Sequence, residues 1–71
     1  MINPKEIGRR LILLRGNRSR REVAEAVGVT ESAYAMYERG ERIPRDYIKV
    51  IIADFFRKDV QEIFFDSECH I

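Results

Sequence analysis

The stretch 19–40 contains two short amphipathic segments separated by one glycine, and this pattern restricts the fold more than any other feature. Ser19 can cap a first helix, in which Val23 and Val27 lie one turn apart and face the same way. Gly28 ends that helix, because glycine adopts the left-handed conformation of a sharp turn at little steric cost. The stretch therefore predicts a helix followed by a tight turn.

The second segment has the signals of another short helix. Thr30 is a good N-cap, and Gly40 provides the stop. Tyr34 and Tyr37 share one face, so we expect both rings in the core with their hydroxyls at its rim. Ala24 is a small residue between the inward-facing positions of the first helix, and we expect the two helices to cross closely there.

The rest of the chain predicts three more helices. A first helix opens with the cap-and-proline pair Asn3–Pro4, and Ile7, Leu11 and Leu14 form an amphipathic stripe along it. Pro44 is expected to start a fourth helix that runs to about Phe56. Asp59 caps a short fifth helix with the sequence DVQEIFF. No strand pattern is present in the sequence, so the fold class is all-α with five helices.

Composition limits the chain to one small domain, expected over residues 1–66 and followed by a flexible tail at 67–71. One cysteine cannot form an internal disulfide, which fits a cytoplasmic protein. No apolar run is long enough to cross a membrane. Cys69 and His70 are two possible metal ligands, too few for a site, and no catalytic cluster or phosphate loop is visible. We therefore expect no enzyme activity, metal, cofactor or small-molecule ligand.

The net charge is only +1, but the charges are unevenly distributed. The first segment has seven bases against one acid, Glu6: the bases are Lys5, Arg9, Arg10, Arg15, Arg18, Arg20 and Arg21. The stretch 22–38 has acids and no base, and bases return at 39–49. This asymmetry indicates one electropositive side suited to phosphates, although such charge runs are also typical of a solvated face.

The sequence EVAEAVGVTESAYAMYERGERIP resembles the Cro/repressor-type (XRE-like) helix-turn-helix regulators of phages and bacteria. The matching residues are Val23, Ala24, Gly28, Val29, Thr30, Ser32, Tyr37, Glu38, Gly40 and Pro44. The likeness extends over about residues 7–65. It implies a compact bundle of the phage-repressor DNA-binding-domain type, in which helices 2 and 3 form the helix-turn-helix and residues 31–38 enter the major groove.

The resemblance also implies which side chains read bases. These are the solvent-facing residues of the recognition helix, joined by the residue that opens the motif: Arg20, Glu31, Ser32, Ala35 and Met36. A serine can donate or accept a hydrogen bond, a glutamate can accept from cytosine, and alanine or methionine can touch thymine methyl groups. Arg20 could read guanine or hold a phosphate.

Phosphate contacts are expected from bases around the motif and from the amino end of the recognition helix. The candidates are Arg18, Arg21, Thr30, Arg39 and Arg42. The resemblance further implies an ion pair between Arg15 and Glu38, the alternative being that both charges are exposed.

Three consecutive apolar residues, Ile63, Phe64 and Phe65, lie on a helix of little more than one turn. Neighbours on a helix point about 100° apart, so at least one must face outward, where it could form a dimer contact. The alternative is that Phe64 or Phe65 covers the end of the fourth helix.

The expected function is therefore a sequence-specific regulator of transcription, a repressor that binds double-stranded DNA as a homodimer on a pseudo-palindromic operator in the cytoplasm, associated with the nucleoid. The alternative is a helix-turn-helix module that has lost DNA binding and binds proteins, as an antirepressor would. Binding to random duplex at low salt distinguishes the two.

Overall fold

The computed structural model describes residues 2–66, and that part of the chain is all-α, as predicted. Its helices are α1 (Pro4–Arg15), α2 (Arg20–Val27), α3 (Glu31–Arg39), α4 (Asp46–Phe56) and α5 (Gln61–Phe65). The predicted tail at 67–71 lies outside the described residues. Within them, none of the helices is long and apolar enough to span a membrane.

Local capping signals fix the ends of the first three helices. The side chains of Asn3, Ser19 and Thr30 each accept a hydrogen bond from the backbone N–H three residues on, at 2.9–3.0 Å. Gly28 and Gly40 end α2 and α3 in the left-handed conformation, with φ of 83° and 74°. The helix-turn-helix predicted from these residues is present.

The fourth helix begins two residues later than predicted. Pro44 is buried in the connector, and Arg45 is the N-cap with an extended backbone (φ −65°, ψ 158°). The first helical bond therefore runs from the N–H of Lys49 to the carbonyl of Arg45, at 2.9 Å.

The fifth helix is a single turn of π-helix. Its ladder is closed by the N–H of Asp66 donating to the carbonyl of Gln61, five residues back, at 2.8 Å. The predicted side-chain cap from Asp59 is not formed: the Glu62 carboxylate accepts from the N–H of Asp59 at 3.2 Å, but the N–H of Glu62 donates to the backbone carbonyl of Asp59 at 3.0 Å.

The core takes residues from all five helices: Ile7, Leu11, Val23, Ala24, Val27, Tyr34, Tyr37, Ile48, Ile52, Ala53, Ile63 and Phe64. Ala24 is buried on α2, which packs on α3 and α4. Helix α1 packs on α3 and α5. Helices α1 and α3 approach closely at Gly8, where an added β-carbon would lie 2.2 Å from the carbonyl oxygen of Glu38.

Arg10 is a base that the charge pattern assigned to the electropositive side, and the structure places it in the interior. It is 2% exposed. Its Nη1 donates to the carbonyl of Glu62 at 2.8 Å, and its Nε donates to the Glu6 carboxylate at 3.2 Å. Arg10 therefore attaches α5 to α1 and offers no charge to a ligand.

Candidate nucleic-acid interface

The amino-terminal turn of α3 is the most accessible part of the recognition helix. Glu31 and Ser32 are exposed, directly after the Thr30 cap. Met36 is half-buried, whereas Ala35 is only 8% exposed. This burial argues against a base contact from Ala35, and Glu31 and Ser32 are the most exposed of the base-reading candidates on α3.

A cleft of about 350 Å³ lies beside this turn. Its walls come from the glycine turn, α3, the 40–45 connector and the start of α4, and they include Thr30, Tyr37, Arg42, Arg45 and Tyr47. Arg42 and Arg45 are both exposed. Two arginines next to the amino end of a helix favour an anion, since both the guanidinium charges and the helix dipole attract it.

Arg45 was not among the residues predicted from the sequence. The sequence contained one signal for it: in the connector RIPR, the second arginine stands directly before α4. Only the fold shows that the residue shares a cleft with Thr30 and Arg42.

Three of the predicted phosphate-binding arginines have acidic neighbours on the surface. Arg21 Nε lies 3.2 Å from Glu25, and Arg39 Nη2 lies 3.1 Å from Glu41. This contact raises the pKa of Arg39 and lowers that of Glu41. Arg18 is 3.9 Å from Glu22 and 5.4 Å from the ring centre of Phe55. These charges are partly offset locally, unlike the pair of arginines in the cleft.

Glu38 is the centre of a buried ionic cluster. Its side chain is fully buried, and its carboxylate accepts from Arg15 Nε at 2.6 Å and from Arg15 Nη2 at 3.2 Å. The predicted Arg15–Glu38 pair is therefore present, and the hydrogen bonds to Glu38 raise the pKa of Arg15. Arg15 Nη1 also donates to the carbonyl of Arg18 at 2.8 Å, which ties the α1–α2 connector to the cluster.

Arg20 is the third member of the cluster. Its Nε donates at 2.8 Å to Glu38 Oε1, the oxygen that also accepts from Arg15 Nη2, and 37% of its side chain is exposed. A side chain predicted to face DNA thus has one donor committed to the interior of the domain. The cluster holds the first residue of α2 against the last turn of α3.

Tyr34 lies against this cluster, and its position corrects the expectation that its hydroxyl reaches the rim of the core. The side chain is fully buried, and the hydroxyl has no hydrogen-bond partner among the residues described. Burial, followed by the nearby charge of Glu38, raises the pKa of the Tyr34 hydroxyl well above its usual range.

The three apolar residues of α5 differ in accessibility. Ile63 and Phe64 have no exposed surface in the monomer, because both are packed into the core. Phe65 is 38% exposed, and its ring centre lies 5.2 Å from Lys49 Nζ. The short helix thus turns one of the three residues outward, as expected. A dimer contact on this helix can include Phe65 but not Ile63 or Phe64.

The structure shows no cluster of three potential metal ligands within residues 2–66, and Cys69 and His70 lie outside that range.

An all-α domain with a glycine turn between two short helices, the second open at its amino end, is a helix-turn-helix domain. The helix-turn-helix family model (HTH_3) matches residues 9–63, and the chain belongs to this family of DNA-binding transcription regulators. A search of curated proteins finds no match.

Among solved structures, the chain is similar to the SOS-response transcriptional repressor LexA from Eubacterium rectale. The TM-score is 0.81 at 21% sequence identity, over 100% of this chain and 81% of that chain. A likeness at this identity supports the fold.

Proposed function

We propose that the chain is a sequence-specific transcriptional repressor that binds a pseudo-palindromic operator as a homodimer. The observation that supports this most strongly is the open amino-terminal turn of α3 beside the cleft of Arg42 and Arg45. A helix in the major groove has phosphates on either side, so exposed side chains at its tip and cations at its flank match what DNA presents.

Base reading is assigned to the exposed tip of α3. Ser32 can donate to or accept from a base edge, and Glu31 can accept from cytosine N4. Met36, half-buried, offers apolar contact to a thymine methyl group further along the helix. Such a tip without arginine or glutamine forms few strong bidentate contacts, so we expect a large share of the affinity to come from phosphates.

Phosphate binding is assigned first to Arg42, Arg45 and the free backbone N–H groups that follow Thr30. Arg18, Arg21 and Arg39 are exposed enough to add contacts, but each must exchange an acidic neighbour for the phosphate. Arg20 is proposed to position α2 through Glu38 while the rest of its guanidinium remains available to DNA.

The salt dependence of duplex binding tests this proposal. Each phosphate contact contributes about 0.9 to the slope of log K against log salt. We expect Arg42→Gln with Arg45→Gln to lower that slope by about two, and the matched variant Arg9→Gln on α1 to leave it unchanged. If the wild-type domain shows no salt-dependent binding to random duplex, the domain is a protein-binding module instead.

The dimer is proposed to form through Phe65, whose partly exposed ring would be covered by its copy across a two-fold axis. Two recognition helices would then be spaced about 34 Å apart, one turn of DNA. Sedimentation velocity without DNA, at about 10 μM protein, should show a dimer that Phe65→Glu dissociates. If the wild-type protein stays monomeric at high concentration, dimers form only on the operator.

A further inference from the structure

Helix α4 has an outer face that combines apolar and acidic side chains. Tyr47, Val50 and Ile51 are 63%, 57% and 40% exposed, and Asp46 and Asp54 are exposed beside them. These five residues, the α4 face, recur at the spacing of one helical stripe. Lys49, the one base in α4, is only 6% exposed, and its Nζ lies 3.4 Å from Asp46 Oδ1. Lys49 offsets part of the charge of Asp46, and with Asp54 the α4 face keeps an excess of acid over base.

Helix α1 has an outer face of the opposite charge. Ile12 and Leu13 are 44% and 54% exposed, next to exposed Lys5 and Arg9. These four residues form the α1 face. The single acid of α1, Glu6, binds both Arg9 and the buried Arg10, and neighbouring Arg9 lowers its pKa. Glu6 offsets part of the charge of Arg9, and Lys5 Nζ donates to the carbonyl of Arg39 at 2.8 Å. The α1 face therefore keeps an excess of base over acid beside its apolar groups.

We infer that the α4 face of one copy of the chain docks on the α1 face of a second copy. Each face offers apolar area of similar kind, and the flanking charges are complementary only in this pairing. Two α4 faces would place aspartate against aspartate, and two α1 faces would place base against base; such like-charge pairing is unfavourable.

The two faces lie on different helices, so one copy presents both. Helix α1 packs inward on α3 and α5, whereas α4 packs inward on α2, so the faces belong to separately supported helices. The contact is heterologous, and a heterologous contact extends into a row of copies unless its rotation closes a ring. It is distinct from the two-fold contact proposed at Phe65.

The proposed DNA surface leaves this contact accessible. Glu31, Ser32 and Arg42 lie on neither face, and Tyr47 is the one residue that lines the cleft and also belongs to the α4 face. Copies bound at adjacent sites on a duplex could therefore touch, so this inference adds binding between neighbours to the proposed function.

Two variants that each disable one face provide the test. Ile12→Gln with Leu13→Gln removes the apolar part of the α1 face, and Val50→Gln with Ile51→Gln removes that of the α4 face. Glutamine keeps good helix propensity, and all four positions are exposed, so both variants should fold. The measurements are made in a Phe65→Gln background, which excludes the contact proposed at that residue.

In sedimentation velocity, the average mass of the background chain should rise steadily with protein concentration up to about 1 mM. Raising the salt concentration should weaken this association. The association constant of each double variant alone should be at least tenfold lower than that of the background chain. An equimolar mixture should regain it but stop at two chains, because each variant keeps one intact face.

Three results would overturn the inference: a monomeric background chain at the highest concentration, a double variant that associates like the background, or a mixture that does not regain association. Binding of both variants to a duplex with a single half-site is measured alongside and should be unchanged. If the proteins associate as expected but do not bind the duplex, only the proposed function is rejected and the contact between the two faces stands.

Discussion

Gly8 of α1 lies directly against the main-chain carbonyl of Glu38 in α3: a β-carbon there would be 2.2 Å from the carbonyl oxygen. Neither backbone can move aside cheaply, since each belongs to a helix packed in the core. Gly8→Ala should therefore destabilise the domain by about 1–3 kcal/mol, although the same change in an ordinary helix interior stabilises it by about 1 kcal/mol.

Urea denaturation measures this effect, and the control is Ala26→Gly at an exposed position of α2, which reports helix propensity without a contact. A Gly8→Ala variant more stable than the wild type would show that the two helices do not meet at this point.

The second prediction concerns the cluster around Glu38. Glu38→Gln should cost about 3–5 kcal/mol, because it leaves two guanidinium groups without their shared carboxylate. Arg15→Met or Arg20→Met alone should cost less, since the other arginine still binds Glu38. The variant that loses both arginines should lose more stability than the sum of the single losses. Strictly additive losses in this double-mutant cycle would mean that the two arginines do not share the carboxylate.

Ala24→Leu gives the third prediction. Ala24 is 1% exposed, so the larger side chain should overpack the contact of α2 with its neighbours and lower the free energy of unfolding by about 1–3 kcal/mol. Ala26→Leu, on the exposed side of the same helix, is the matched control and should have little effect. Equal denaturation midpoints for the two variants would contradict a close crossing at Ala24.

The fourth prediction concerns pH. Because the pKa of Tyr34 is raised in the folded state, its contribution to stability is complete below the unfolded value of about 10 and is lost as pH rises above it. Tyr34→Phe should therefore make the alkaline loss of stability shallower, while neutral stability changes little because the hydroxyl it removes has no partner. Thermal unfolding between pH 8 and about pH 11 measures this. If Tyr47→Phe, at an exposed ring, has the same effect, Tyr34 is not responsible.

The last prediction separates sequence reading from charge attraction. Ser32→Ala should relax the preference at one base position of a selected operator by about 1–3 kcal/mol and leave the salt slope unchanged. Arg45→Gln should do the reverse: weaker binding to all sequences and a slope smaller by about one. Competition binding with operator and random duplex at several salt concentrations resolves the two effects. If Ser32→Ala leaves the base preference unaltered, the side chains that read bases lie elsewhere in the domain.

The parts of the fold that could be predicted are those with local causes. Ser19, Thr30, Gly28 and Gly40 fix helix ends through contacts within a few residues, so their pattern in the sequence is sufficient. The start of α4 was misplaced because proline commonly opens a helix, whereas here Pro44 is buried in the connector and the chain stays extended to Arg45.

The parts that could not be predicted depend on residues far apart in the chain. Arg10 looks like any surface arginine until a carbonyl 52 residues away is brought to it. The place of Arg45 in the cleft and the commitment of Arg20 to Glu38 likewise arise only when the helices are packed. The pair of Arg15 and Glu38 was predictable through family resemblance, since nothing in its local sequence indicates the partner.

The buried guanidinium of Arg10 sets a minimum length for a working fragment. It needs the carbonyls of Glu62 and Ile63 as acceptors, at 2.8 and 3.4 Å, because a charge enclosed in the core without partners is strongly destabilising. A shorter piece that ends after α4 would retain the complete helix-turn-helix and its DNA-facing side chains, yet it would expose the core and leave Arg10 with the Glu6 carboxylate but without these two acceptors. Any graft or fusion that borrows the motif must therefore carry the chain through Ile63, or replace Arg10 with an apolar residue.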